Sequence, residues 1–97
     1  MPQYAPLTPT TPTGFSQNIT ADTLIKTGAG VAVGVVVNSH TSGTLKIWDA
    51  LTATGTVLFN TMTFAAGERY VPLFGAKFTT GMYADIGGTV DLTVVYN

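Results

Sequence analysis

The chain has 97 residues, 9 % of them charged, a formal net charge of −1 and no cysteine. Such a length makes one domain, and the missing thiols exclude disulfides and cysteine chemistry. Four basic residues scattered among five acidic ones leave no electrostatic footprint for nucleic acid. No membrane segment is expected either: the longest apolar run, residues 29–37, falls far short of the roughly 18 residues that a spanning helix needs.

The scarcity of charge is itself informative. A small domain that stays soluble alone carries about 25–35 % charged surface residues, whereas this chain has a mean hydropathy of +0.34. A folded monomer of 10.1 kDa exposes on the order of 5,000 Å², and one ordinary protein contact covers about 800 Å² per partner. A few contacts therefore cover much of the molecule. With no disulfides, and with the lone His40 giving no metal framework, oligomerisation remains as the way to stabilise so small a scaffold.

Residues 1–17 read as an extended Pro/Thr-rich N-terminal arm. Pro6, Pro9 and Pro12 recur every third residue among threonines, which places them on one edge of a polyproline II helix. Tyr4, Leu7 and Phe15 are apolar anchors that a purely solvating tail has no use for. The segment is thus expected to lie on a neighbouring subunit, with Tyr4, Pro6, Leu7, Pro9, Pro12 and Phe15 as its interface residues. No Arg or Lys flanks the Pro-x-x-P spacing, which argues against an SH3-type ligand. The first residues lack the basic and apolar regions of a secretory signal, so synthesis in a cytoplasm is the expectation.

Residues 18–97 read as a β-domain. Thr20 to Thr27 is ambiguous between a strand and a single helical turn. Val31, Val33, Val35 and Val37 share one face of a strand whose other face holds Ala32, Gly34 and Val36, which implies a strand with no solvent side. Asn38 to Gly43 is a polar turn cluster, predicting that Thr44 to Asp49 pairs back as a hairpin. Leu45 and Ile47 then alternate with Lys46 and Trp48, and Val57 with Phe59, Val71 with Leu73, Phe78, and Met82 with Ala84 and Ile86 continue the pattern. Last, Val90, Leu92, Val94 and Tyr96 are set against Asp91, Thr93 and Val95. A Gly-Thr-apolar-x-apolar pattern opens runs at Gly43, Gly55 and Gly88 at irregular spacing, as reused turn chemistry does. Seven or eight short strands and no amphipathic helix fit an antiparallel sandwich or a small barrel.

No catalytic constellation emerges. A Ser or Thr nucleophile would need His40 as its base, and His40 sits in a Ser/Gly-rich turn where an exposed histidine is ordinary. Asp49 and Asp85 fall at strand ends, where capping a turn accounts for them, and no loop has the oxygen density that calcium requires. Gly28-Ala29-Gly30 precedes a strand and lacks the Lys-Ser/Thr ending of a phosphate loop. Asn18-Ile19-Thr20 matches a glycosylation pattern that a threonine-rich chain produces by chance. Trp48 alternates to the Lys46 side, where an outward tryptophan serves as a sugar platform or contact anchor, while core packing is the competing reading. His40 and Trp48 are the candidate exposed contacts. No catalytic residue, metal site, cofactor or small-molecule substrate is expected.

The stretch Ile19 to Val31, with Val35 to Asn38, Thr44 to Asp49 and Ala53 to Thr56, resembles the small β-proteins of tailed bacteriophages that decorate or cement the head shell, including head-fibre-like ones. Phe78 to Ala84 and Asp91 to Tyr96 fit the same resemblance, which covers residues 18–97. It implies a jelly-roll-like sandwich, often a homotrimer, seated on the capsid exterior where major capsid protein subunits meet and tying them together. The family has no catalytic residues to transfer. The alternatives are a fibre or adhesin module binding host glycans through Trp48 or His40, and a tail adaptor.

Overall fold

The computed structural model describes residues 14–97. The expected arm contacts Tyr4, Pro6, Leu7, Pro9 and Pro12 lie outside the described residues. Phe15, the remaining arm residue, opens the first strand. Six strands follow in chain order: β1 (Phe15–Ile19), β2 (Thr23–Thr27), β3 (Gly30–Asp49), β4 (Thr56–Thr63), β5 (Tyr70–Phe78) and β6 (Gly81–Tyr96). All pairings are antiparallel, in one hydrogen-bonded sheet, and there is no helix among the described residues. The all-β expectation holds. The ambiguous stretch after Thr20 resolves into a bend and then β2.

Two long strands organise everything. β3 and β6 run side by side from Ala32↔Tyr96 to Trp48↔Tyr83. Beyond β6, its C-terminal half pairs with β1 and its N-terminal half with β2. Beyond β3, its first half pairs with β5 and its second half with β4. One end of the sheet therefore reads β1-β6-β3-β5 and the other β2-β6-β3-β4. The Val31 to Val37 run is central, with β5 on one side and β6 on the other, but the expectation that it has no solvent side fails: Val35 and Val37 are buried while Val36 between them is exposed.

The hairpin expected at Asn38 to Gly43 is not there. β3 continues through that polar cluster, because β6 pairs alongside it, with Ser39↔Asp91, His40↔Val90 and Thr41↔Thr89, the register shifting at Asn38. Polar side chains suit the stretch because Asn38, Ser39, Thr41 and Ser42 face solvent. What the cluster marks is a bulge: Ser42 and Gly43 stand opposite the single residue Gly88. Ser42 has φ 52° and Gly88 φ 72°, so both strands depart from regular geometry at the same level. Runs that read as separate strands are thus halves of β3 and of β6, which is why the described residues form six strands where seven or eight were expected.

One core serves both ends. Val35, Leu45, Ile47, Leu73, Met82, Ala84, Leu92 and Val94 are fully buried and belong to a single cluster with Ile19, Ile25 and Phe64. Leu92 and Val94 lie on one half of β6 and Met82 and Ala84 on the other, so the alternating apolar face continues across the bulge. The bulged level is stitched at both margins. The Asp22 carboxylate accepts the Ile86 N–H at 2.7 Å where the chain passes from β1 to β2. On the opposite margin the β4–β5 loop binds β3 through Phe64 N–H to Gly43 C=O at 3.0 Å and Val37 N–H to Arg69 C=O at 2.8 Å.

Candidate functional site

His40 projects from β3 just before the bulge, half-buried, with its ring 5.5 Å from that of Phe64. Gly43 N–H donates to Nδ1 at 3.3 Å, which leaves the proton on Nε2, and Nε2–H donates to Ala65 C=O at 2.9 Å. Both ring nitrogens are therefore spent on backbone, and the side chain straps the β4–β5 loop to β3. A cleft of about 550 Å³ opens beside this strap, lined by Ser42, Gly67, Glu68 and Arg69 among others. Glu68 caps its own turn by accepting Ala65 N–H at 2.8 Å.

Trp48 lies on the face opposite the core, as alternation with Leu45 and Ile47 predicts. Its neighbours are cross-strand: Lys46 pairs with Asp85 and Trp48 with Tyr83. Lys46 Nζ sits 4.4 Å from the ring centroid, and Nε1–H reaches Asp85 at 3.4 Å. The indole is half-buried, with one face covered by a cation and its donor committed. Neither His40 nor Trp48 is a freely presented contact, and the structure does not bring them together: they lie on opposite sides of the bulge along β3.

Of the two carboxylates expected to cap turns at strand ends, Asp49 does so, whereas Asp85 lies inside β6 opposite Lys46 and accepts from Trp48 instead. Asp49 closes the β5–β6 turn by accepting backbone N–H groups of Thr79 at 3.1 Å, Thr80 at 2.8 Å and Gly81 at 3.3 Å, together with the Thr79 hydroxyl at 3.3 Å. Burial pushes its carboxyl upward, but the N–H donors of Thr80, Thr79 and Gly81 and the Thr79 hydroxyl outweigh that and hold it below the usual range. Asp91 accepts amide N–H groups of Asn18 at 2.7 Å and Asn38 at 3.1 Å, which lower its pKa against a small opposing effect of burial. Among the described residues no cluster of three or more His, Asp or Glu side chains is placed to hold a metal ion.

What the sequence reading missed is Phe74. Between Ala32↔Ala76 and Gly34↔Pro72, the residues Leu73, Phe74 and Gly75 stand opposite Val33 alone. Phe74 has φ 61° and Gly75 φ 70°, an uncommon conformation for a residue with a Cβ and rarer for a bulky one. Leu73 stays in the core while the Phe74 ring is 82 % exposed, the most exposed large apolar side chain described. Tyr70, on the same strand, is 49 % exposed, and Phe15 is 52 % exposed with its ring 5.8 Å from Tyr96. The available signal was Phe-Gly within a run that otherwise reads as an unbroken strand, since an internal Gly marks a bulge.

Compared with known proteins, the chain matches no family model, no curated protein and no solved structure. No helix among the described residues is long and apolar enough to cross a membrane.

Proposed function

We propose that this protein is a structural part of a virion, decorating and cementing the head shell of a tailed bacteriophage by binding major capsid protein subunits. In this reading it is made in the host cytoplasm and sits as a homotrimer on the capsid exterior. The observation that carries the proposal is the apolar surface of a lightly charged domain, with Phe15, Tyr70 and Phe74 each about half or more exposed. Aromatic rings left in water favour burial against another protein, and aromatic anchors dominate such contacts. A cement protein works by adding buried interface across capsomer boundaries, which opposes internal pressure.

The same reading has the sheet folded over on itself as a jelly-roll-like sandwich. Supporting it are the two four-strand ends, β1-β6-β3-β5 and β2-β6-β3-β4, which share one core. A lone sheet without covering helices has no other means of hiding side chains as completely as Leu45 and Leu92. The Pro-spaced segment before Gly14 extends the clamp to a neighbour. The glycan alternative gains no support from Trp48, whose ring is covered by Lys46.

Size-exclusion with light scattering, followed by the mass of empty heads after mixing, tests the proposal. A mass of three chains and a stoichiometric increment on the heads are expected. Single chains at high concentration with no affinity for heads would overturn it. Deleting residues 1–13, which leaves β1 intact, should weaken head binding without moving the melting temperature; unchanged binding removes the arm from the mechanism.

A further inference from the structure

β5 is an edge strand, paired with β3 on one side and with no other strand among the described residues. Exposed edges are commonly protected against strand addition, and β5 has two protections: Pro72, which has no N–H to offer, and the bulge at Leu73 to Gly75. Protection explains the bulge but not the residue that occupies it. Gly, Asn or Asp suits a left-handed, water-facing position, and a phenylalanine is the costly choice on both backbone and solvation grounds. A bulge at a sheet edge re-aims a side chain, and here it aims a phenyl ring into solvent.

The charges carried by the segment from Arg69 to Phe78 have one sign, and Glu68 just before it is turned back to the Ala65 N–H of its own loop. Arg69, just before β5, and Lys77, near its end, are both exposed, and residues 69–78 contain no acid. Neither cation has a carboxylate partner among the described residues. The chain's own carboxylates are engaged internally: Asp22 by Ile86 N–H, Asp49 by the β5–β6 turn, Glu68 by Ala65 N–H, Asp85 by Trp48, and Asp91 by Asn18 and Asn38. We infer that the β5 edge is a docking strip for an acidic, apolar-centred segment of another protein, with Phe74 as the anchor and Arg69 and Lys77 as flanking charges. At about 3.3 Å per residue the strip from Arg69 to Lys77 is no longer than about 26 Å, which suits a partner segment of seven or eight extended residues. Two cations are too few for the phosphate tracking of nucleic acid or the polybasic anchoring of an anionic membrane. Asp85 and Asp91 are the only acids of this chain that fall within one segment of that length, and both are held in β6 by its ladder with β3, which disfavours a second copy as the occupant. The inference deepens the cement reading by naming the contact: there, the segment belongs to the capsid protein.

The test is an NMR titration of the full chain with a synthetic ten-residue peptide carrying Asp and Glu at both ends and Leu-Trp-Leu at its centre. A control peptide has Lys in place of the acids. The acidic peptide should shift resonances of residues 69–78, and Phe74→Ser should weaken it at least tenfold. Phe74→Gly, which suits the backbone, guards against misfolding and should lose binding equally. The double variant Arg69→Glu with Lys77→Glu should prefer the Lys peptide. Shifts elsewhere, or unchanged affinity in Phe74→Ser, overturn the docking strip. So does Phe74-dependent retention by phosphatidylcholine–phosphatidylserine vesicles, or Phe74-dependent self-association that the peptide does not compete. If Phe74→Ser coats empty heads as the parent does, the strip falls and the cement reading stands. If the parent takes the acidic peptide at β5 but no heads, the cement reading falls and the strip stands.

Discussion

Two places in this molecule carry the same backbone irregularity and use it in opposite ways. Ser42, followed by Gly43, and Phe74, followed by Gly75, are the non-glycine residues with positive φ among those described. Each sits in a β-bulge. The central one lies between β3 and β6, with strands or a strapped loop on every side, and packs Gly43 against Phe64 and Val90. The outer one lies on a strand with a free margin. A bulge flanked by partners redirects two strands together, whereas a bulge at an edge redirects one side chain. Residue choice follows: small residues where the backbone must approach other backbone, an aromatic where the chain faces out.

The central region should break hardest. Val35 is fully buried in β3 between β5 and β6. Val35→Lys leaves an unpaired charge there and should cost about 3–5 kcal/mol, enough to unfold much of a marginally stable domain. Thermal melting by circular dichroism checks this, and near-parental melting would contradict the central placement. At the bulge itself, a Cβ on Gly88 would run into the Ser42 carbonyl, and φ of 72° adds strain for any L-residue. Gly88→Ala is expected to cost about 2 kcal/mol or more. The control is Gly67→Ala, also at positive φ but with open space around its Cβ, which should cost less in the same denaturant titration.

This contrast also explains what the sequence revealed. Alternation made the buried faces legible: Leu45 with Ile47, Met82 with Ala84, and Leu92 with Val94 all point inward as read. The polar cluster at Asn38 to Gly43 misled because turn-forming residues and bulge-forming residues are the same types, and only the partner strand decides between them. His40 looked like a free surface histidine, since the two backbone groups that bind it come from Gly43 and from Ala65, far along the chain. Phe74 was hidden for the converse reason. Its apolar character fits a strand, and exposure arises from a bulge that one Gly announces only faintly.

Asp49 sharpens the comparison by showing an ordinary turn stabilised without strain. Its folded-state pKa lies below the unfolded value, so its contribution is complete above the ordinary carboxylate range and is lost as pH falls through the lowered folded value. The stability of the parent should therefore decline below about pH 4 by more than that of Asp49→Asn. At neutral pH the substitution should cost about 1 kcal/mol, modest because solvent reaches the carboxylate. Urea titrations at pH 7 and pH 3 measure both; equal pH slopes in the two proteins would assign the acid sensitivity to other groups, with Asp91 next in line.

The smallest effect on stability is the most telling one. Phe74→Gly removes the strain of a bulky residue at φ 61° while adding the unfolded-state freedom of glycine, so the two changes oppose each other. The variant should melt within about 1 kcal/mol of the parent. A core or fold-forming phenylalanine behaves otherwise: truncation costs about 3–5 kcal/mol through the cavity left behind, which is the outcome expected at Phe78, fully buried at the end of the same strand. Comparing Phe74→Gly with Phe78→Ala in one denaturant series thus separates a ring kept for contact from a ring kept for packing. A large loss at position 74 would mean that the outer bulge, like the central one, serves the fold.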